Sequence, residues 1–298
     1  IVFLNFKDYA VINSSVEVSK KINVYPALIN AILKKISTRK KKLINIQIKS
    51  SDLPIWFQKA TANLNKSSLN DFIKNYYKKP NLHIVFKTQL DLKNFNEEHF
   101  ITTDCSAYIN KEKKIKEINA YEAGKWWVQD LSSMLPLYLT ENLKNKKILD
   151  MCSAPGGKAF QAISLGGDVT MNDINIKRLN RLKKNIKRLK YNCKILNKDA
   201  LLLNENIKYE CVLVDAPCSA IGTIRKNPEI FFKNSAPKLV DLKNLQMQLL
   251  NKASKILTKK GLIIYMVCSF FEIETTQQIK NFLKKNKNFS ISKFKFSK

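Results

Sequence analysis

The feature that most constrains this chain is a change of texture near residue 120. Beyond it, short apolar runs of strand length alternate with amphipathic stretches of helix length. The runs are Lys147-Ile-Leu-Asp-Met, Asp168-Val-Thr-Met-Asn-Asp, Cys211-Val-Leu-Val-Asp and Leu262-Ile-Ile-Tyr-Met-Val. Parallel strands need helical crossovers, so this alternation predicts an α/β fold with a doubly wound, mostly parallel sheet. On such a sheet ligands bind beyond the carboxyl ends of the strands, which directs attention to the residues just after each run.

Upstream, residues 1 to about 50 predict helices. Val11, Ile12, Ser15, Val16 and Val18 follow helical spacing. After Pro26, a first-turn proline, Ala27, Leu28, Ala31, Ile32, Leu33 and Ile36 share one face. The basic run 38–42 is expected as a solvated linker or helix end. Two short amphipathic patterns follow, around Trp56-Phe57 and from Leu69 to Tyr77. Pro80 then stops the helix, and Leu82-His-Ile-Val-Phe predicts a strand with His83 at the surface.

Length and composition narrow the class. A chain of 298 residues is long enough for about two domains, and 45% hydrophobic content excludes a disordered chain. The longest apolar run, 261–271, falls well short of the roughly 20 residues a membrane span requires. Lys and Arg number 53 against 24 Asp and Glu, a net charge of +29 that suits an anionic partner. All but five of the 53 are lysines, point charges that attract a phosphate backbone without reading bases. The six cysteines form no CxxC and there are only two histidines, so neither a disulfide framework nor a zinc site is expected. A reducing, cytoplasmic setting and no metal follow as expectations. The chain opens at Ile1 rather than Met, as expected of a fragment.

At the first strand end stands Asp150-Met-Cys152-Ser153-Ala154-Pro155-Gly156-Gly157-Lys158. Adjacent glycines allow close backbone approach, and the amides of the helix that follows favour anions. The spacing is neither a P-loop nor GxGxxG. Asp173, 16 residues beyond Gly157, is placed to accept hydrogen bonds from ribose hydroxyls, and Asp199 to meet an adenine edge. The pattern suits a nucleoside cofactor without a pyrophosphate. Two further strands end in Asp215-Ala-Pro-Cys218-Ser and Val267-Cys268-Ser, bringing two thiols to the same sheet edge. Either could serve as a nucleophile once a cation or helix terminus lowers its pKa. Cys105, Cys193 and Cys211 read as packing.

These runs, taken in order with Arg225-Lys-Asn-Pro-Glu-Ile, resemble the Sun/RsmB family of bacterial cytosine-C5 methyltransferases of 16S ribosomal RNA. The segment from Tyr121 to Met134 is similar to the family's lead-in to its catalytic domain. Tyr9 to Ile36 resembles the end of its NusB-like helical domain. The resemblance implies a Rossmann-like class I methyltransferase fold over 119–298. A NusB-like remnant would occupy 1–45 and a small α+β subdomain 46–118, with both extreme ends of the family pattern missing. It implies S-adenosylmethionine as cofactor, held by Cys152 to Lys158, Asp173, Asp199 and Asp215. It also implies Cys268 as the nucleophile, Cys218 as the cysteine that helps release product, and Asp215 between cofactor and base. RNA, with 16S rRNA foremost, would be the partner of a monomer that binds no membrane.

The pattern departs from the family at Val267, where a threonine is usual, at Glu272-Ile-Glu-Thr, where only Glu274 matches, and at Arg225-Lys-Asn-Pro-Glu. Methylation of tRNA, or an RNA-binding assembly factor without catalysis, are the alternatives. The helix expected after Asp173 has an apolar stripe of Ile176, Leu179, Leu182, Ile186 and Leu189 and is otherwise densely cationic, a face either solvated or set against phosphates.

Overall fold

The computed structural model describes residues 1–2, 6–76, 78, 80–109, 114–140, 142–232 and 236–292. The chain forms two units: Ile1–Pro80 together with Ile224–Ala236, and Asn81–Thr223 together with Pro237–Lys298.

In the first unit the described elements are helical: α1 (Asp8–Lys21), α2 (Pro26–Thr38), α3 (Lys40–Ile44), α4 (Ile55–Ala60) and α5 (Lys66–Tyr76). Pro26 sits in the first turn of α2, where its missing N–H has no intrahelical role. The basic run is partly helical, continuing into α3. Tyr77 lies outside the described residues. One predicted face, that of α2, is turned from its expected direction. In α1 Val11, Ile12, Ser15 and Val16 are partly covered as the spacing predicts, and only Val18 is exposed, with Ser19 buried and its hydroxyl donating to Val16 O. In α2 Leu28 and Ile32 are exposed, while Ile29, Leu33 and Ile36 are partly covered. Spacing alone fixes the apolar arc of a helix but not which edge of it a short partner helix covers. Phe231, from the second stretch of this unit, packs its ring on Phe57 at 5.0 Å and Tyr76 at 5.3 Å, with Trp56 and Phe72 at 6.0 and 6.3 Å.

The second unit opens with a small antiparallel sheet: β1 (Leu82–Phe86), α6 (Gln89–Lys93), β2 (His99–Thr103), β3 (Ser106–Ile109) and β4 (Trp126–Val128), in the order β2-β3-β1-β4. Then follow α7 (Leu131–Tyr138), β5 (Lys147–Asp150), α8 (Gly157–Ser164), β6 (Asp168–Asn172), α9 (Ile176–Leu189), β7 (Lys194–Leu196), β8 (Tyr209–Asp215), α10 (Leu239–Ile256), β9 (Leu257–Met266) and α11 (Thr276–Lys285). Strands β5 to β9 form one parallel sheet in the order β7-β6-β5-β8-β9, whose direction of growth reverses between β5 and β8. This is the α/β, Rossmann-like, doubly wound architecture that the alternation predicts. The central strands are buried on both faces: Ile148, Leu149, Val212 and Leu213 are wholly inaccessible, which is why they read as unbroken apolar runs.

His83 is a correction. It was expected at the surface, but it is buried, with Nδ1 2.6 Å from Gln129 O and Nε2 2.8 Å from Thr102 Oγ1. Strand β1 lies between β3 and β4, and all but its first residue are buried, so no outward face is left for a histidine. Among the described residues no helix is long and apolar enough to cross a membrane, and no group of three His, Cys, Asp or Glu is arranged to hold a metal ion.

Candidate active site

The site is built at the carboxyl edge of the large sheet. From β5 the chain passes through buried Asp150, a cis Ala154–Pro155 bond and Gly156 into α8. Gly156 has φ +117°, and a Cβ there would lie 2.1 Å from the Phe160 ring and 2.6 Å from Leu182, so only glycine fits. The loop is latched to β6. Ser153 N donates to Asn172 O at 2.8 Å, Asn172 N donates to Ser153 Oγ at 3.1 Å, and Ser153 Oγ donates to Asp150 O. A polar chain fixes α8 from the small sheet: Trp127 Nε1 donates to Gln129 Oε1, and Gln129 Nε2 to Gln161 Oε1.

Asp173 follows β6 and is 2% exposed. Its Oδ2 accepts from Ala154 N at 3.1 Å and its Oδ1 from Asn175 N at 2.9 Å, with Arg178 3.5 Å away. Arg178 also donates to Ala154 O. Oδ2 thus bonds the loop and faces Arg178, and Oδ1 bonds the turn into α9 and keeps a lone pair for a ligand hydroxyl. Asp199, half-buried after β7, accepts from Leu201 N at 2.9 Å and caps a short turn. The two acids are tied together by Asn172, a fully buried residue that the sequence reading did not single out. Its amide donates to Met151 O and Lys198 O and accepts from Lys198 N.

Asp215, the last residue of β8, accepts from Lys158 Nζ at 2.7 Å. Lys158 therefore reaches from α8 across to the neighbouring strand end. Asp150, also not singled out, lies behind this pair. Burial first, and then the Asp215 charge, push its carboxyl up to about 7. The same burial, with the carboxylates of Asp150, Asp173 and Asp215, pushes the Cys152 thiol up to about 12, which keeps it protonated beside the loop.

The two thiols of interest stand on adjacent loops after β8 and β9. Gly222 N donates to Cys268 O at 3.0 Å, and a Cβ on Gly222 would come within 3.2 Å of that oxygen. Cys268 is exposed, whereas Cys218 is half-buried and pushed up to about 11, first by burial and then by Cys268 and Glu274. Every residue named from the sequence as a site candidate, from Cys152 to Lys158 with Asp173, Asp199, Asp215, Cys218 and Cys268, thus falls at one edge of one sheet. No direct contact joins the thiols to Asp173 or Asp199 among the hydrogen bonds described. Cys211, by contrast, lies inside β8 and is wholly buried.

Comparison with known proteins places the chain among RNA-modifying relatives. The profile described as 16S rRNA methyltransferase RsmB/F matches residues 137–298, more than half of the chain. The ribosomal RNA small subunit methyltransferase B of Photorhabdus laumondii is 33% identical over 171 residues, covering 56% of this chain and 40% of the relative. A Coxiella burnetii protein described as a probable ribosomal RNA small subunit methyltransferase B is 26% identical over 310 residues, 94% of this chain and 71% of that one. The chain therefore spans well under half the length of the first of these relatives. Among solved structures, PH0851 aligns with a TM-score of 0.74 at 23% identity, over 90% of this chain and 66% of that one, and shares its fold.

Proposed function

The chain belongs to the 16S rRNA methyltransferase RsmB/F family, and we propose that its site methylates C5 of a cytosine in 16S rRNA, with S-adenosylmethionine as donor and Cys268 as nucleophile. The observation that carries this reading is the pairing of two cysteine loops at the same sheet edge as the Asp150-to-Lys158 loop, with Gly222 bonded to Cys268 O.

The residues present fit the donor. A remaining lone pair on Asp173 and the half-buried Asp199 offer acceptors for ribose hydroxyls and an adenine amine, and the α8 N-terminus offers backbone N–H donors. When bound, S-adenosylmethionine supplies an electrophilic methyl group on a sulfonium. The chain must make C5 nucleophilic. Addition of the Cys268 thiolate at C6 would give C5 enamine character, and loss of the C5 proton with departure of the thiolate would restore the ring. Exposure suits Cys268 to this task. Asp215 would accept a hydrogen bond from the cytosine edge, which requires Lys158 to share or yield its 2.7 Å contact. Cys218 would assist release. The base must be unpaired or turned out of its stack for C6 to be reached.

The partner reading draws on α9. Seven of its residues are Lys or Arg and none is acidic. The buried stripe is Leu179, Leu182 and Leu189, leaving Lys177, Arg181 and Lys184 on the outer face. Like charges at these spacings weaken an isolated helix, and phosphates along the face would relieve that repulsion.

The test is transfer of labelled methyl to unmethylated 16S rRNA and to bulk tRNA. The expected outcome is transfer to 16S rRNA that is lost in Cys268→Ala, with Cys218→Ala accumulating a covalent RNA adduct. Transfer to tRNA alone would reassign the substrate, and transfer that survives Cys268→Ala would remove the nucleophile assignment.

A further inference from the structure

The two cysteine loops share a buried hub. Glu274 lies in the segment between β9 and α11 and is wholly inaccessible to solvent. Its Oε1 accepts from Ser219 N at 2.8 Å and from Gln246 Nε2 at 3.1 Å, and its Oε2 accepts from Ser219 Oγ. Gln246, also wholly buried on α10, donates to Pro217 O at 3.0 Å as well. Thus both residues flanking Cys218 are gripped, Ser219 by the carboxylate directly and Pro217 through Gln246. The hub reaches the other loop too. Ser219 Oγ lies 3.2 Å from Ser269 Oγ, next to Cys268, and Tyr265 OH donates to Glu274 O at 2.8 Å. A buried carboxylate is costly unless its lone pairs are filled, and here three donors fill them without an ion pair to Lys or Arg among the described residues.

We propose that Glu274 is a positioning residue: its carboxylate locks the Cys218 loop to the Cys268 loop and so fixes where the two thiols stand. The proposal rests on the reading of these cysteines as the working thiols and divides their labour. Gripped on both sides, Cys218 is held half-buried, which leaves the addition at C6 to the exposed Cys268. Burial raises the Cys218 thiol most, and Cys268 and Glu274 raise it further, while backbone hydrogen bonds at Ala220 and Cys268 act the other way. Tyr265 faces the same group and is itself pushed upward, by burial first and then by Glu274 and Cys218.

The test needs neither RNA nor methyl donor, so it stands apart from the outcome of the methylation assay. Alkylation of each cysteine by iodoacetamide is followed by peptide mass across the alkaline range in the full chain, with Cys105 as a remote thiol. In the parent, Cys218 is expected to react only at high pH. Glu274→Gln keeps the volume and an acceptor, and its new amide can meet the carbonyl of Gln246, which is buried without a hydrogen-bond partner. That variant should lower the pH midpoint for Cys218 while Cys105 stays unchanged. An unmoved Cys218 midpoint would overturn the proposal, as would equal movement of Cys105, which marks general loosening. If Glu274→Gln does not fold, Ser219→Ala, which keeps the charge and removes one bond to it, should speed Cys218 alkylation several-fold at fixed pH relative to Cys105. No change in that ratio would refute the lock.

Discussion

Asp150 illustrates how a single residue writes a pH dependence into the protein. In the unfolded chain its carboxyl titrates near 4, whereas in the folded chain burial and the Asp215 charge hold it to about 7. Between those values the native state carries the extra proton, so stability falls as pH rises through the window and is greatest below it. Asp150→Asn should flatten this slope in chemical denaturation measured over a pH series. An unaltered slope would show that another group sets it. Gly156 makes a steric prediction instead. Gly156→Ala adds a Cβ 2.1 Å from the Phe160 ring at φ +117°, so a loss of about 2–5 kcal/mol in unfolding free energy is expected. Both residues stand in the Asp150-to-Lys158 run, and the glycine's role was legible there. Asp150 was not, because its environment comes from β8, 65 residues further along the chain. Gln246, and the partners of Glu274, were hidden for the same reason: each of the two bonds residues 28 or more positions away.

At the scale of elements, the strands after residue 120 were readable because two-faced burial leaves an unbroken apolar run that a length argument can recognise. The same rule concealed His83, since a polar residue in a run looks like an outward face unless the strand is central. Helix faces were less secure, and α2 is rotated from the apolar arc that spacing suggests, whereas α1 departs from it only at Val18. In α9 the stripe holds at Leu179, Leu182 and Leu189, with Ile186 partly covered, but Ile176 at its start is exposed. Neutralising three of the helix's cations, by Lys177→Gln, Arg181→Gln and Lys184→Gln together, should have opposite effects on stability and binding. Relief of repulsion should leave stability unchanged or raise it by up to about 1 kcal/mol. The slope of log affinity for single-stranded RNA against log salt should become shallower by about 2, at roughly 0.7 per lost phosphate contact. A triple variant with the parent slope would place the RNA elsewhere.

For the whole molecule, the path of the chain matters more than its length. It leaves the first unit after Pro80, returns at Ile224 and leaves again after Ala236. Phe231 and Ile230, on the returning stretch, are buried, and the rings around Phe231 come from residues before Pro80. A protein begun at Asn81 should therefore expose both side chains and bind a hydrophobic dye more strongly than the full chain, with Phe231→Gln reducing the excess. Equal dye binding would show that the returning stretch finds other cover. The reversal of strand order between β5 and β8 has a consequence of another kind. Strands β5, β6 and β7 carry the groups that suit a methyl donor, and β8 and β9 carry both thiols. The carboxyl edge of the sheet thus falls into two halves. The Lys158–Asp215 ion pair, from α8 to the end of β8, is a stitch between them, so a change at either residue is felt on both sides of the seam.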